Sequence, residues 1–329
     1  METIKECTMK TGSRLMLMGI MIAATALIMG GCGPTMSGAV KDDTTLTETS
    51  KQLKTTSDVS DYKGPKLRVG VVNFQNKTPS VVLGIGEAAA DILGTILQKT
   101  ERFIVIPQQD IDSILSQQRM GGINPDTAAK MGEIMGLNAI VTGAVTAYSE
   151  AEEGTDFIVG KSKKQIARVT VDYRIVDTTT GVQLMADSGA GIYEKKVTTV
   201  LGAGGKASYD TDLRDGALRD ALSKAMVNMM KQLGKRRWSG RVAKVSGKSL
   251  YINAGQRTGL NIGDKLDVFR RGEEIIDPDT KQKLGTTEDL IGNAIVIKND
   301  LGDQADLSVA NPTSGAGFRN GDIVKLSSK

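Results

Sequence analysis

The 329-residue sequence contains no histidine, two cysteines and only 4% aromatic residues. The absence of histidine excludes Ser-His-Asp triads and histidine-ligated metals, and it disfavours zinc and non-haem iron sites. Both cysteines, Cys7 and Cys32, lie near the N-terminus. No nucleophile–base pair and no metal-ligand cluster is recognisable in the sequence. We therefore expect a protein that is not an enzyme and that holds no cofactor and no metal.

The formal charge is nearly balanced, with 42 Lys and Arg against 38 Asp and Glu. Nucleic-acid binding usually requires a concentrated basic surface, so we expect no nucleic-acid partner. The chain is long enough to build two or three hydrophobic cores. The composition is that of a binding or assembly protein.

The N-terminus has the pattern of a bacterial export signal. Lys5, Lys10 and Arg14 precede an uncharged apolar run that ends in Gly-Gly-Cys32. This run is shorter than the roughly 20 residues that a spanning helix needs. A cysteine at this position predicts a lipoprotein signal, with cleavage before Cys32 and acylation of its thiol by a palmitate-bearing lipid.

The sequence predicts four segments. Residues 1–31 form the signal peptide, and residues 32–64 are a polar, flexible tether. Residues 65–234 form an α/β domain, and residues 235–329 form a small β-barrel. Gly33, where an aspartate would favour retention at the inner membrane, indicates sorting to the outer membrane.

Apolar periodicity predicts alternating strands and helices in the first domain, and so an α/β sandwich with a mixed or antiparallel sheet. The predicted strands are 67–74, 103–106, 139–148, 167–175 and 182–186. The predicted helices begin near Gly84, after Pro107 and at Asn124-Pro125, and a long one closes the domain at Gly234.

Three weaker signals are given ordinary structural interpretations. Gly84-Ile-Gly86 resembles a dinucleotide fingerprint, but it lies too far from the preceding strand, so we expect glycines that open a helix. Asp277-Pro-Asp279 lacks the spacing of a calcium loop and predicts a hairpin turn. The basic runs 161–168 and 235–237 predict solvated loop charge.

The second domain contains a repeated Gly-x3-Gly-Asp pattern, at 259–264 and at 317–322. Each copy precedes a short apolar stretch and predicts a glycine-dependent turn that leads into a strand. Closely spaced short strands of this type indicate a small closed barrel. The segment resembles the C-terminal domain of the flagellar assembly protein FlgT, which implies an SH3-like barrel.

Four motifs of the first domain occur in the same order in a known group. They are Val-Gly-Val-Val-Asn-Phe74, Arg102-Phe-Ile-Val-Ile-Pro107, Gly136-Leu-Asn-Ala-Ile-Val-Thr-Gly143 and Arg174-Ile-Val-Asp-Thr-Thr-Thr-Gly181. The chain resembles the curli-secretion channel family (CsgG/HfaB), whose members are outer-membrane lipoproteins with a periplasmic α/β domain. In that family, subunits form rings, and two hairpins per subunit build an export pore.

The two segments in the corresponding positions are 149–164 and 189–213. Charged residues interrupt both, so neither offers the continuous apolar face that a lipid-facing strand needs. The resemblance implies a subunit or accessory of an envelope secretion or assembly apparatus. Its partners would be the membrane, through the lipid on Cys32, other envelope proteins, and copies of itself in a homo-oligomeric ring. The alternative is a monomeric periplasmic adaptor that regulates an envelope enzyme such as a peptidoglycan synthase.

Overall fold

The computed structural model describes residues 64–327, except 80, 81, 122, 158–159, 201–210, 282 and 302–305. Cys32, the signal peptide and nearly all of the tether lie outside the described residues, as does the middle of the segment 189–213. The predictions for these parts remain predictions.

Twelve strands and four helices are present in the described part of the chain. The strands are β1 (Leu67–Val71), β2 (Gln75–Asn76), β3 (Phe103–Ile106), β4 (Ala139–Phe157), β5 (Gly160–Asp177), β6 (Gln183–Val200), β7 (Ser239–Ser246), β8 (Ser249–Ile252), β9 (Lys265–Ile276), β10 (Lys283–Lys298), β11 (Ser308–Gly315) and β12 (Ile323–Leu326). The helices are α1 (Ile85–Lys99), α2 (Gln108–Gln117), α3 (Pro125–Met135) and α4 (Thr211–Leu233).

The first six strands form one mixed sheet in the order β3-β1-β4-β5-β6, with the short β2 beside β4. β1 runs parallel to β3 and β4, whereas β4, β5 and β6 are antiparallel. The α/β class and the mixed sheet predicted from the sequence are confirmed.

Helices cover both faces of this sheet. The apolar stripe of α1 and that of α4 are buried against one face, in the same core as the inward side chains of β5. α2 and α3 bury a smaller cluster on the other face, around Ile140 and Val176. The Asn124 side chain caps α3 as expected, because its Oδ1 accepts the Thr127 N–H at 2.9 Å.

Four predicted strands differ from the structure in length: β1 is shorter than predicted, and β4, β5 and β6 are longer. β1 ends at Val71 instead of Phe74, because the Phe74 N–H donates to the Gly86 carbonyl on α1 at 3.3 Å. β4 continues beyond Tyr148 to Phe157, because its pairing with β5 is unbroken to the end of the strand. Its charged residues hide this continuation from an apolar pattern.

The last six strands form a closed barrel in the order β10-β11-β8-β7-β12-β9. The barrel has a two-fold topology. If β7 is exchanged with β10, β8 with β11 and β9 with β12, the list of hydrogen-bonded strand pairs stays the same. The two Gly-x3-Gly-Asp segments occupy equivalent places before β9 and β12. All four of their glycines have φ between +74° and +93°, as the turn prediction requires.

Basic residues after α4 fasten this helix instead of lying free in solvent. Arg236 contacts the buried carboxylate of Asp177, and Arg237 donates to Asp267 on β9 at 3.2 Å. The interpretation of 235–237 as solvated loop charge was therefore wrong for both arginines. Nearby, the Asn138 side chain donates to the Ser239 carbonyl at 2.6 Å and ties the sheet to β7.

Candidate interaction surface

Three antiparallel strands continue past the helices that cover the sheet. The extension consists of 149–157 of β4, 160–165 of β5 and 194–200 of β6, and we call it the strand arm. The pairing is continuous from Gly160 opposite Phe157 and Val200 back into the core. At about 3.4 Å per residue, the six residues of β5 in the arm span roughly 20 Å.

Charges lie on both faces of the strand arm. The register places Lys164 beside Glu153 and Lys196, and the next row on the opposite face has Gln165 between Glu152 and Lys195. Lys164 pairs with Glu194 at 3.0 Å, and Lys163 pairs with Glu152. The basic run 161–168 thus belongs to a strand, and its described lysines are paired across strands instead of being solvated loop charge.

Close packing against α4 fixes the base of the arm. Gly191 lies so near this helix that a Cβ there would stand 2.1 Å from the Ala217 carbonyl oxygen. The ring of Tyr193 similarly packs over Gly216. Small residues on both elements allow this approach, so the orientation of β6 is set by backbone contact.

The outer edge of β6 is partly closed by two side chains of α4. The Asp220 carboxylate, which is fully buried, accepts the Ile192 N–H at 3.0 Å. Lys224 donates to the Ala190 carbonyl at 3.1 Å and to Asp220 at 2.8 Å. Edge strands expose backbone N–H and C=O groups to pairing with other chains. Here the Asp220–Lys224 pair occupies the Ile192 N–H and the Ala190 carbonyl, next to the arm. The i,i+4 spacing of Asp220 and Lys224 was the only sequence signal for this arrangement.

A second polar group links β5, β6 and α4. The Tyr173 hydroxyl donates to Asp187 at 3.2 Å, and Asn228 donates to the same carboxylate at 2.9 Å. Hydrogen bonds from the Ser188 N–H and from Asn228 lower the pKa of Asp187. Burial, together with the neighbouring Asp187, raises the pKa of Tyr173, so the phenol stays neutral and serves as a donor.

No group of three or more Cys, Asp or Glu side chains among the described residues could hold a metal ion. A small polar pocket, lined by Thr179, Ser239, Arg241 and the neighbouring backbone, lies where the sheet meets the barrel. Burial lowers the pKa of Arg241, and the pocket lining contains no Asp, Glu or Lys beside this arginine.

The weaker sequence signals have structural roles. Gly86 opens α1 against the Phe74 carbonyl, consistent with a packing glycine and not a phosphate loop. Asp277 accepts the N–H groups of Asp279 and Thr280 at 3.0 and 2.7 Å, which is the predicted hairpin turn. Within the described ranges, every helix is too short or too polar to cross a lipid bilayer.

The described fold consists of a helix-covered mixed sheet and a closed six-stranded barrel. The model of the family of curli production assembly/transport components, CsgG, matches residues 48–261, more than half of the chain. The chain belongs to this family, and it is a CsgG-type lipoprotein of the bacterial cell envelope. The match runs across residue 234 and includes β7 and β8.

Similar proteins come from several bacteria. "Putative lipoprotein NMB1126/NMB1164" of Neisseria meningitidis serogroup B is 27% identical over 67% of this chain and 95% of its own length. The crystal structure of lipoprotein GNA1162 from N. meningitidis has 16% identity, covers 52% of this chain and 99% of that chain, and has a TM-score of 0.31. The LpoB C-terminal domain from Salmonella enterica has 11% identity, covers 43% and 93% respectively, and has a TM-score of 0.30. At these TM-scores, the two structural likenesses establish neither function nor assembly.

Proposed function

We propose that this protein is a lipid-anchored component of an envelope secretion or assembly apparatus, held at the periplasmic face of the outer membrane. The observation that carries the proposal is the family match over residues 48–261. The Gly-Gly-Cys32 pattern supports a lipid anchor, and Gly33 supports outer-membrane sorting.

The structure provides two elements suited to this role. The strand arm offers charged faces and strand edges to other envelope proteins. The barrel, for which the FlgT-like and SH3-like assignments stay predictions, offers a further binding surface. The predicted tether could reach on the order of 100 Å when extended, so both elements could meet partners at a distance from the membrane.

The apparatus role requires stable association with copies of the chain or with other envelope proteins. The native mass of the protein, extracted in mild detergent, tests this requirement. We expect a discrete complex several times the mass of one chain. A strict monomer at all concentrations would contradict the proposal.

Charge reversal in the arm shows whether the arm carries that association. Lys164→Glu alters one partly exposed side chain, so the fold should persist while the complex dissociates. Lys164→Glu with Glu194→Lys is the matched control, because it restores the local pair with its sign exchanged. If the partner recognises the individual charges of the arm, this control also weakens the complex. If the complex recovers in the control, the effect of the charge reversal comes from the stability of the arm alone.

One observation favours the second function, a monomeric periplasmic adaptor that regulates an envelope enzyme. Charges on both faces of the arm suit contact with a polar protein surface in water. In that case, the extracted protein would be monomeric alone and would form a one-to-one complex with its enzyme. Cross-linking in intact cells followed by mass spectrometry separates this outcome from a ring.

A further inference from the structure

Two exposed isoleucines lie at the end of the barrel where β9 begins. Ile262, in the turn before β9, is 64% exposed, and Ile297, on β10, is 45% exposed. Their sequence neighbours are hydrogen-bonded: the Gly263 N–H donates to the Val296 carbonyl at 2.8 Å, and the Val296 N–H donates to the Asp264 carbonyl at 2.9 Å. The isoleucines and the exposed cations around them form what we call the barrel-end patch.

Among the described residues, the cations of the patch have no ionic partner, and its nearest carboxylates accept hydrogen bonds. Arg257, Lys265 and Lys298 are exposed, and they form no ion pair within the described part of the chain. The Asp264 carboxylate accepts the N–H of Asn261 within its own turn at 2.7 Å.

The carboxylate of Asp306 is also occupied, because it accepts three backbone N–H groups of the loop 255–258 at 3.0–3.3 Å. Asp300 is the exposed acid nearby. The Asp306 carboxylate keeps its charge and attracts the Arg68 guanidinium. The three exposed cations are then opposed by Asp264 and Asp300, which leaves an excess of one positive charge around two aliphatic side chains. This arrangement suits the boundary between headgroups and acyl chains of an anionic bilayer.

The described chain begins next to this patch. The Lys66 N–H donates to the Thr258 carbonyl at 2.6 Å, which fixes the start of the folded part to the loop that leads into the turn of Ile262. The predicted tether to Cys32 thus ends at the patch. As a coil of about 32 residues it would span roughly 30 Å on average, which keeps the patch at high local concentration near the membrane.

We propose that the barrel-end patch contacts the surface of an anionic phospholipid bilayer and orients the lipid-tethered protein on it. The inference rests on the lipid anchor proposed for Cys32. Two isoleucines and three cations form a weak contact that cannot replace the acyl chains. Its effect is to turn one end of the barrel toward the membrane and the other end away from it.

A second exposed apolar group of the barrel serves as a built-in control. Ile276 is 53% exposed at the far end of β9, about 35 Å along the strand from the patch. Four acids near it in sequence (Glu273, Glu274, Asp277 and Asp279) outnumber Lys281 and Lys283, the second of which lies opposite Ile276 across the strands. The net charge around Ile276 is therefore negative and disfavours anionic lipid. Contact at Ile262 without contact at Ile276 is the specific expectation.

Single thiols test this expectation in the full, processed protein. Cys7 leaves with the signal peptide and Cys32 is acylated, so Ile262→Cys and Ile276→Cys each provide one labelling site for a polarity-sensitive fluorophore. The proteins are reconstituted into vesicles of phosphatidylethanolamine with phosphatidylglycerol, or of phosphatidylcholine alone. On the anionic vesicles, we expect a blue-shifted label at 262 that is at least about threefold less accessible to a water-soluble quencher than the label at 276. Adding Lys265→Glu and Lys298→Glu should remove the difference.

The other outcomes identify which part is wrong. If the protein floats with the vesicles but the labels at 262 and 276 are equally accessible to the quencher, the contact is overturned and the anchor stands. If the protein does not float, the anchor and the contact that depends on it are both overturned. A shift at 262 that grows with protein concentration in the absence of vesicles would identify a second copy as the occupant and would overturn the lipid contact.

Discussion

Single glycines show why a sequence motif can mislead about function. Gly86 belongs to a short glycine pattern that resembles a nucleotide loop, but its lack of a side chain serves packing. A Cβ at this position would stand 1.8 Å from the Phe74 carbonyl oxygen. Periodicity predicted the buried face of α1 correctly, because that face depends on local spacing. The need for glycine at position 86 comes from its contact with Phe74, twelve positions away, and could not be predicted from the local sequence.

Gly86→Ala should therefore destabilise the protein by about 1–3 kcal/mol, since backbone atoms must move to admit the methyl group. Gly94→Ala, in the same helix, is the matched control. Its Cβ would meet Val105 at 3.6 Å, an ordinary contact, so the gain in helix propensity should stabilise by up to about 1 kcal/mol. Denaturant unfolding of the two variants measures both effects, and equal shifts would contradict the packing explanation.

Asp187 should give the folded protein an acid-sensitive element. Its pKa is lowered in the folded state, first by the Ser188 N–H and then by Asn228. The stabilisation is therefore complete above the ordinary aspartate pKa of about 3.9, and it is lost as the pH falls through the lowered value. The free energy of unfolding should fall less steeply below pH ~4 in Asp187→Asn than in the parent. If the free energy of unfolding fell equally with pH below ~4 in the two proteins, Asp187 would contribute nothing to this dependence.

At the scale of elements, the strands that carry charge were the hardest to predict. β4, β5 and β6 keep their ladder through the strand arm although the apolar alternation stops near Tyr148. The core of the sheet was predictable because burial imposes a period of two. In the arm, cross-strand pairing replaces burial, and opposite charges on different strands are not adjacent in sequence.

The barrel offers a comparison between two equivalent turns. Asp322 is 4% exposed and is held by Arg270 at 2.9 and 3.0 Å, whereas its counterpart Asp264 has its backbone partner Asn261 but no arginine. Asp322→Ala leaves Arg270 without its carboxylate, and we expect a larger loss of stability than for the same change at Asp264. Asp264→Ala removes a turn cap and should cost about 1 kcal/mol. Thermal unfolding of both variants measures the difference, and equal losses would contradict the role of Arg270.

At the scale of the whole molecule, the predicted lipid on Cys32 attaches the protein to the membrane. Cys32→Ala should release the protein into the periplasmic fraction, and a high-salt wash should remove any protein retained by the weaker barrel-end patch. Fractionation of cells that express the variant measures this release. Retention of Cys32→Ala after the wash would show that another part of the chain holds the membrane.

The sequence predicted the parts of this account that local chemistry determines. The lipidation of Cys32 stays a prediction, based on a basic start, an apolar run and two glycines that are contiguous in the sequence. The family follows from four short motifs in order. The barrel-end patch and the Asp220–Lys224 pair on the edge of β6 could not be predicted, because tertiary folding brings their members together.

Metabolic labelling with palmitate tests the central claim most directly. The parent protein and Cys7→Ala should both incorporate the label, because Cys7 lies in the signal peptide that is removed. Cys32→Ala should incorporate none. Label in Cys32→Ala, or no label in the parent, would contradict the assignment of this protein as a lipoprotein anchored at Cys32.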